Sequence, residues 1–222
     1  MSDAAPAGTR RKVLRRIGIG IAALIAISGG LIAWGVRRPQ PVLVNTACQG
    51  SSEMKRKVLI AYATRAGSTA EVAQTISEQL CKAGMQTEVR PVKALRTLEG
   101  YDAVILGSAI RYSAWLPEML AFIQAQQPAL ARLPVAIFTL HIQALGEDAA
   151  SRETRGRYTQ AARALITPRS EAFFAGKVDP ATLSFFERLA VKMVKSPIGD
   201  KRDWNQIRSW ADELVRSLHS PA

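Results

Sequence analysis

Lys57-Val58-Leu59-Ile60-Ala61-Tyr62-Ala63 runs directly into Thr64-Arg65-Ala66-Gly67-Ser68-Thr69. After one lysine the first stretch is uninterruptedly apolar. It is long enough for a strand and too short for a helix, so it reads as a strand buried on both faces. The second stretch concentrates three hydroxyls and a glycine ahead of a helix expected over Thr69 to Ala83. There Val72, Ile76 and Leu80 recur four apart on one face, with Ala73 beside them. Glu71 stands near the start and Lys82 near the end, as the helix dipole favours, and Gly84 suits a C-terminal cap. A strand that turns into a helix in this way leaves backbone N–H groups unpaired at the positive end of the dipole, where an anion is stabilised. A phosphate suits such a turn, and so does a hydroxyl-capped turn with nothing bound. The turn is not a Walker motif, since no Gly-Lys-Ser/Thr follows, and it is not the GxGxxG dinucleotide fingerprint.

Working outward, the same alternation repeats. Thr87–Val92 reads as a weaker strand, and Asp102–Ser108 and Pro134–Leu140 as buried ones. Leu116–Gln126 and Ala150–Ile166 read as helices, and Glu171–Lys177 as a last strand. Asp203 caps a final helix in which Trp204, Ile207, Ala211, Leu214 and Leu218 recur at three and four. Five buried strands alternating with helices predict an α/β fold with a doubly wound parallel sheet covered on both faces, ligands sitting at the carboxyl ends of the strands. Asp179–Lys195 is a further helical segment. Its Leu183, Phe185, Phe186, Leu189, Val191, Met193 and Val194 offer apolar surface and its Arg188, Lys192 and Lys195 share a side. It suits either a membrane interface or a place on the sheet.

Upstream, Ile17 to Val36 contains no charged residue. At about 1.5 Å per residue it spans roughly 30 Å, the thickness of a bilayer core. Residues 1–16 form a basic segment, 17–36 a transmembrane helix, 37–55 a linker broken by Pro39, Pro41, Gly50, Ser51 and Ser52, and 56–218 the folded domain. The Val36-Arg37-Arg38-Pro39 junction is a poor cleavage site, which favours an uncleaved anchor. Thr46-Ala47-Cys48 looks like a lipoprotein cleavage site, although Asn45 and the distance from the apolar run count against it. Arg10, Arg11, Lys12, Arg15 and Arg16 precede the run while Arg37 and Arg38 follow it. That bias predicts a cytoplasmic N-terminus and a domain on the outer side of a bacterial inner membrane, crossed once, although Lys55, Arg56 and Lys57 weaken it. Thr9-Arg10-Arg11-Lys12-Val13-Leu14 also resembles a twin-arginine export signal.

The net charge is +12, and residues 1–57 hold ten of the thirty Lys and Arg against two of the eighteen Asp and Glu. The membrane flank therefore accounts for most of the excess, and nucleic acid is not needed to explain it. Two cysteines, Cys48 and Cys81, exclude a disulfide scaffold and a four-thiolate metal site. Cys81, inside a helix, reads as a packing residue. Two histidines argue against zinc chemistry, so no metal is expected. Nothing resembles a Ser-His-Asp arrangement or a carboxylate pair, and hydrolysis is not indicated.

Ile60-Ala61-Tyr62-Ala63-Thr64, Gly67-x-Thr69, Ala73 and Ile76 together resemble the flavodoxin FMN signature, with Ala61 the one departure where a larger apolar residue is usual. Gly107-Ser108-Ala109-Ile110-Arg111-Tyr112, Phe173-Phe174-Ala175-Gly176-Lys177, the basic helix after them and Asp203-Trp204 are similar to the bacterial menaquinone-dependent protoporphyrinogen IX dehydrogenases. The resemblance covers residues 57–216 and implies a five-stranded sheet of order 2-1-3-4-5. It places the phosphate of FMN on Thr64, Arg65, Ala66, Gly67, Ser68 and Thr69. It places the isoalloxazine between two loops, one bearing Ser108, Ala109, Ile110, Arg111, Tyr112 and Trp115, the other Thr139, Leu140 and His141. Tyr112 and Trp115 are the candidates to stack on the ring. Arg111, Tyr112 and His141 are the candidates for catalysis: Arg111 to attract propionates, His141 to donate a proton.

Carrier flavodoxins are acidic and carry an aromatic residue in the loop after the fourth strand. This domain is basic, and Thr139–Gly146 holds no Phe, Tyr or Trp. Fewer carboxylates near an anionic reduced flavin raise its potential, which suits donation to a quinone. The expectation is a membrane-anchored, FMN-dependent oxidoreductase that passes electrons from an organic substrate, a porphyrinogen by resemblance, to a quinone in the lipid. The alternatives are a tethered electron-transfer protein serving another redox protein and an interaction module on an empty fold.

Overall fold

A computed structural model describes residues 41, 43–49, 56–193 and 197–219. The basic segment, the apolar run 17–36 and much of the linker lie outside the described residues; among the described residues no helix is long and apolar enough to cross a membrane. The unit that carries the sheet runs over Gln40–Thr182 and Lys195–Ala222, and Leu183–Val194 falls outside it.

The elements run in the order β1 (Thr46–Cys48), β2 (Lys57–Ala63), α1 (Ser68–Lys82), β3 (Gln86–Pro91), β4 (Ala103–Arg111), β5 (Ala114–Trp115), α2 (Pro117–Leu130), β6 (Val135–His141), α3 (Ala149–Tyr158), α4 (Gln160–Arg163), β7 (Ser170–Ala175), β8 (Lys177–Val178), α5 (Phe185–Met193), β9 (Gly199–Asp200) and α6 (Trp204–His219). Five strands are parallel and lie in the order β3-β2-β4-β6-β7. The order in which strands are added reverses between β2 and β4, with β3 on one side of β2 and β4 and β6 on the other, so this is the switch point at whose carboxyl strand ends such sheets bind ligands.

Alternation along β2 builds both layers of core. Val58, Ile60 and Tyr62 face one side with Val72, Ile76 and Leu80 of α1 and Ile207, Trp210 and Leu214 of α6. Leu59, Ala61 and Ala63 face the other side with Leu116, Met119 and Ile123. This period of two is why an unbroken apolar run is required of a central strand. At Gly107 of β4 the ring of Phe138 crosses the sheet so closely that an added Cβ would lie 2.0 Å from it.

Two expectations need correction. The sheet has seven strands, not five: β5 pairs antiparallel with β4, and β1 pairs antiparallel with β3 on the outer edge. The segment read as a linker therefore contains a strand. Its anchor is Tyr62, whose buried hydroxyl donates to the Val44 carbonyl and accepts from the Val44 N–H, both at 2.9 Å. The second correction concerns the cysteines, which are joined as Cys48–Cys81 with Cα atoms 6.2 Å apart. The pair is no scaffold, but it is covalent, and Cys81 does more than pack. The helix expected over 150–166 is also interrupted, with Thr159 dividing α3 from α4.

Candidate functional site

The turn between β2 and α1 begins with Thr64, whose hydroxyl accepts the Gly67 N–H at 3.0 Å. Gly67 then adopts φ 93°, a left-handed conformation open to glycine, and its carbonyl accepts the N–H groups of Ala70 and Glu71. No side chain caps the helix. The N–H groups of Ser68 and Thr69, in its first turn, are left without an intrahelical acceptor. Thr69 is fully buried, yet its hydroxyl has no partner, and neither has Nε of Arg65. A buried hydroxyl left unpaired costs on the order of 1–3 kcal/mol. An unpaired hydroxyl and an unpaired guanidinium N–H beside an uncapped helix start suit an anion such as a phosphate. Arg65 is held there by an ion pair to Glu118 Oε2 at 2.8 Å, at the N-terminus of α2. That pairing also tempers the charge Arg65 brings.

Across the switch point, β4 and β5 form a hairpin with Ile110 opposite Trp115 and Arg111 opposite Ala114. The two-residue turn is Tyr112-Ser113, with φ 52° and 58°. Turns of that kind ordinarily use Asn or Gly. Holding Tyr and Ser there costs roughly 1–2 kcal/mol each. At this hairpin tip the Tyr112 ring stands in solvent, 88% exposed, with the Arg111 guanidinium 5.0 Å from its centroid.

The other candidates on this side brace the hairpin. Trp115, expected at the flavin, is 2% exposed and donates its indole N–H to the buried Thr139 hydroxyl at 2.9 Å. The Ser108 hydroxyl donates to the Ala109 carbonyl and accepts the Leu116 N–H. Leu140 lies in the core. Of these candidates, Tyr112 alone presents an open aromatic face, while Ala109, Ile110 and Arg111 are half-buried at the strand end.

The loop after β6 is held by a residue that sequence reading did not single out. Arg155 of α3, largely buried, donates to the carbonyls of Ala144 and Gly146 at 2.8 and 2.5 Å. It also pairs with Glu147 at 3.3 Å. Ala144 sits at φ 55°, fixed in place by that grip. His141 is 5% exposed beside the rings of Tyr158 and Phe173. Its Nδ1 lies 2.6 Å from the Gln143 carbonyl, which accepts and so assigns the proton to Nδ1. Burial is the main cause that lowers its pKa; the Gln143 carbonyl opposes this and the Arg155 charge adds to it. A neutral, buried imidazole shapes the loop and is poorly suited to release a proton at neutral pH.

Residues 59–205 match the family described as Flavodoxin domain. The chain belongs to this family. Its cofactor is FMN and it is an FMN-dependent oxidoreductase. The protein is 24% identical over 180 residues to the Escherichia coli (strain K12) protein named protoporphyrinogen IX dehydrogenase [quinone], a match that covers 74% of this chain and 98% of that one. A Leishmania major protein of the same name is 24% identical over 173 residues, covering 72% and 74%. Among solved structures, a flavo di-iron protein variant from Thermotoga maritima superposes with a TM-score of 0.51 at 16% identity, over 83% of this chain and 38% of that one. That likeness concerns the fold. The orphaned donors of the β2–α1 turn fit the phosphate of FMN, which Thr64, Gly67, Ser68 and Thr69 would hold. When bound, FMN supplies the two-electron chemistry, and the protein orients it and sets its electrostatics.

Proposed function

We propose that the protein is a membrane-anchored dehydrogenase that oxidises a flat organic substrate of the porphyrinogen class and delivers the electrons to a quinone. The observation that carries this reading is the asymmetry of the ring side. One wall, the β4–β5 hairpin, raises an exposed aromatic ring with a guanidinium stacked on it. The other loop, Thr139–Gly146, is pinned by Arg155 at the Ala144 and Gly146 carbonyls and contains no Phe, Tyr or Trp. A planar substrate would slide between them, and Arg111 would take a propionate in a charge-assisted bond worth about 1.5–3 kcal/mol. The matched relatives carry the same activity in their names.

The anchor is the apolar run 17–36, and seven residues of chain separate Val36 from Val44, which is already fixed to Tyr62. So short a connection keeps the site near quinone dissolved in the bilayer. Each turnover removes two electrons and two protons from the substrate, and the quinone leaves as quinol.

The test is turnover of protoporphyrinogen by the detergent-solubilised full chain with a menaquinone analogue, followed by porphyrin fluorescence. Quinone-dependent porphyrin formation above the spontaneous rate supports the reading. Flavin-loaded protein that forms no porphyrin and titrates at a very low, carrier-like potential sinks it in favour of a tethered electron-transfer protein.

A further inference from the structure

The chain has two cysteines and the fold joins them. Cys48 ends β1 on the outer edge of the sheet, and Cys81 lies in the last turn of α1, 33 residues further on. The bond cannot serve the flavin chemistry. Thirteen residues of helix separate Ser68, at the phosphate turn, from Cys81, which is about 20 Å at 1.5 Å per residue. What the bond does is fasten a strap. Thr46–Cys48 lie along β3 with Thr46 opposite Val89, Ala47 opposite Glu88 and Cys48 opposite Thr87, and Tyr62 grips the same strap at Val44. The disulfide closes the far end, so the chain that arrives from the apolar run is covalently tied to the first helix of the domain.

A disulfide in a structural position persists in an oxidising compartment and is rare where thiols are kept reduced. Quite separately, five cations precede the apolar run and two immediately follow it, which predicts that the N-terminus stays in the cytoplasm. Both observations put the domain on one side. We infer that the flavin domain works on the extracytoplasmic face of the membrane and that Cys48–Cys81 is formed there by a dithiol–disulfide oxidase. In that step one cysteine thiolate attacks the oxidase disulfide and forms a mixed disulfide. The second thiolate then displaces the oxidase. The two protons and two electrons lost by the cysteine thiols pass to the oxidase, which leaves as a dithiol. The Cys48 thiol, committed to this bond, is not a lipid attachment point.

The inference rests on the anchored reading of residues 17–36 but not on the substrate. It does constrain the chemistry around the site. The electron donor must be a reduced molecule delivered to the outer face, by efflux or by a redox protein resident there, and the quinone is reached from the outer leaflet.

Full-length protein is expressed in bacterial cells, and the cells are quenched in acid and denatured. Free thiols are then capped with a maleimide polymer before and after reduction. No adduct before reduction and two after it are expected, and a strain that lacks the thiol oxidase should give two adducts without reductant. Two adducts in unreduced wild-type cells overturn the inference. Protease added to intact spheroplasts should digest the domain while a cytoplasmic marker survives, and a domain that stays protected overturns it equally. Neither readout involves turnover, so a failed dehydrogenase assay and a failed compartment assay are told apart.

Discussion

At the carboxyl end of α1 the Gly84 N–H donates to the Cys81 carbonyl at 2.9 Å and the Met85 N–H to the Leu80 carbonyl at 3.1 Å. Leu80 and Met85 are buried together in the core, the Ser77 and Thr87 hydroxyls bond to each other at 2.7 Å, and the disulfide seals the turn. At the amino end of the same helix no side chain caps the first turn and the buried Thr69 hydroxyl has no partner. One end satisfies its polar groups internally and contributes stability. The other leaves them unmet, and a ligand completes it. Stability and function are thus separated along one helix of fifteen residues, and substitutions at the two ends should fail in different ways.

The largest effect is expected at the closed end. Replacing Cys48→Ser together with Cys81→Ser opens a 33-residue loop, which by chain entropy costs about 3–4 kcal/mol of stability. FMN content should not change, because the phosphate turn lies at the other end of the helix. Denaturant unfolding of the solubilised protein, with flavin absorbance read in parallel, measures both. Loss of flavin from the folded variant would break the separation.

At the open end the signs reverse. Thr69→Val removes a buried hydroxyl that has no partner in the protein alone, so the flavin-free form should be as stable or more stable. FMN affinity should fall by about 1.5–3 kcal/mol, roughly ten- to a hundredfold, through loss of a bond to a charged phosphate. Fluorescence titration with FMN, together with the melting temperature of the flavin-free protein, tests the pair of signs. Unchanged affinity would mean that Thr69 is not part of the cradle.

A smaller effect concerns the ring side. Ser113 sits at φ 58° in the hairpin turn. Ser113→Gly relieves a left-handed strain of about 1–2 kcal/mol against an entropic loss of about 0.5–1. The net expectation is a gain of up to about 1.5 kcal/mol. Substrate KM should rise, because the relaxed turn no longer holds Tyr112 upright. A variant that gains stability with unchanged KM would show that the strain has no part in presenting the ring.

The same contrast explains which features were legible before the fold was known. The central strands and the phosphate turn are local patterns: apolar runs of strand length, then hydroxyls and a glycine at a helix start. Gly84 was readable as a cap for the same reason. Strand β1 was not legible, because three residues between prolines and glycine carry no periodicity and pair only with a segment forty residues away. The disulfide depends on that pairing and shared its fate. The hairpin at Tyr112-Ser113 lacks the Asn-Gly signal that normally marks such a turn. No motif announces that the indole N–H of Trp115 donates to Thr139 of β6. Arg155 acts through backbone carbonyls eleven and nine residues earlier, and no sequence spacing announces that.

Acid and alkali should also distinguish the two ends. Near the ring side, His141 has its pKa lowered chiefly by burial. Below about pH 6.5 the unfolded chain takes up this proton first, so stability is fully present above that value and is lost as pH falls towards the folded pKa. The loop at 141–146 bears the change, so FMN retention should weaken over the same interval, and His141→Gln should flatten the profile. Near the strap, Tyr101 donates to Glu88 at 2.6 Å and lies under Lys57 at 4.7 Å. Burial, then the bond to Glu88, raises its pKa to about 12. Between the unfolded value of about 10 and the folded one, the unfolded chain releases the proton first and stability falls as pH rises. FMN should stay bound through that alkaline loss until the fold itself gives way, whereas on the acid side flavin should leave before the fold does. Simultaneous loss of flavin and fold on both limbs would mean that the two ends of α1 are coupled, and that the division between closed and open end is geometric without being energetic.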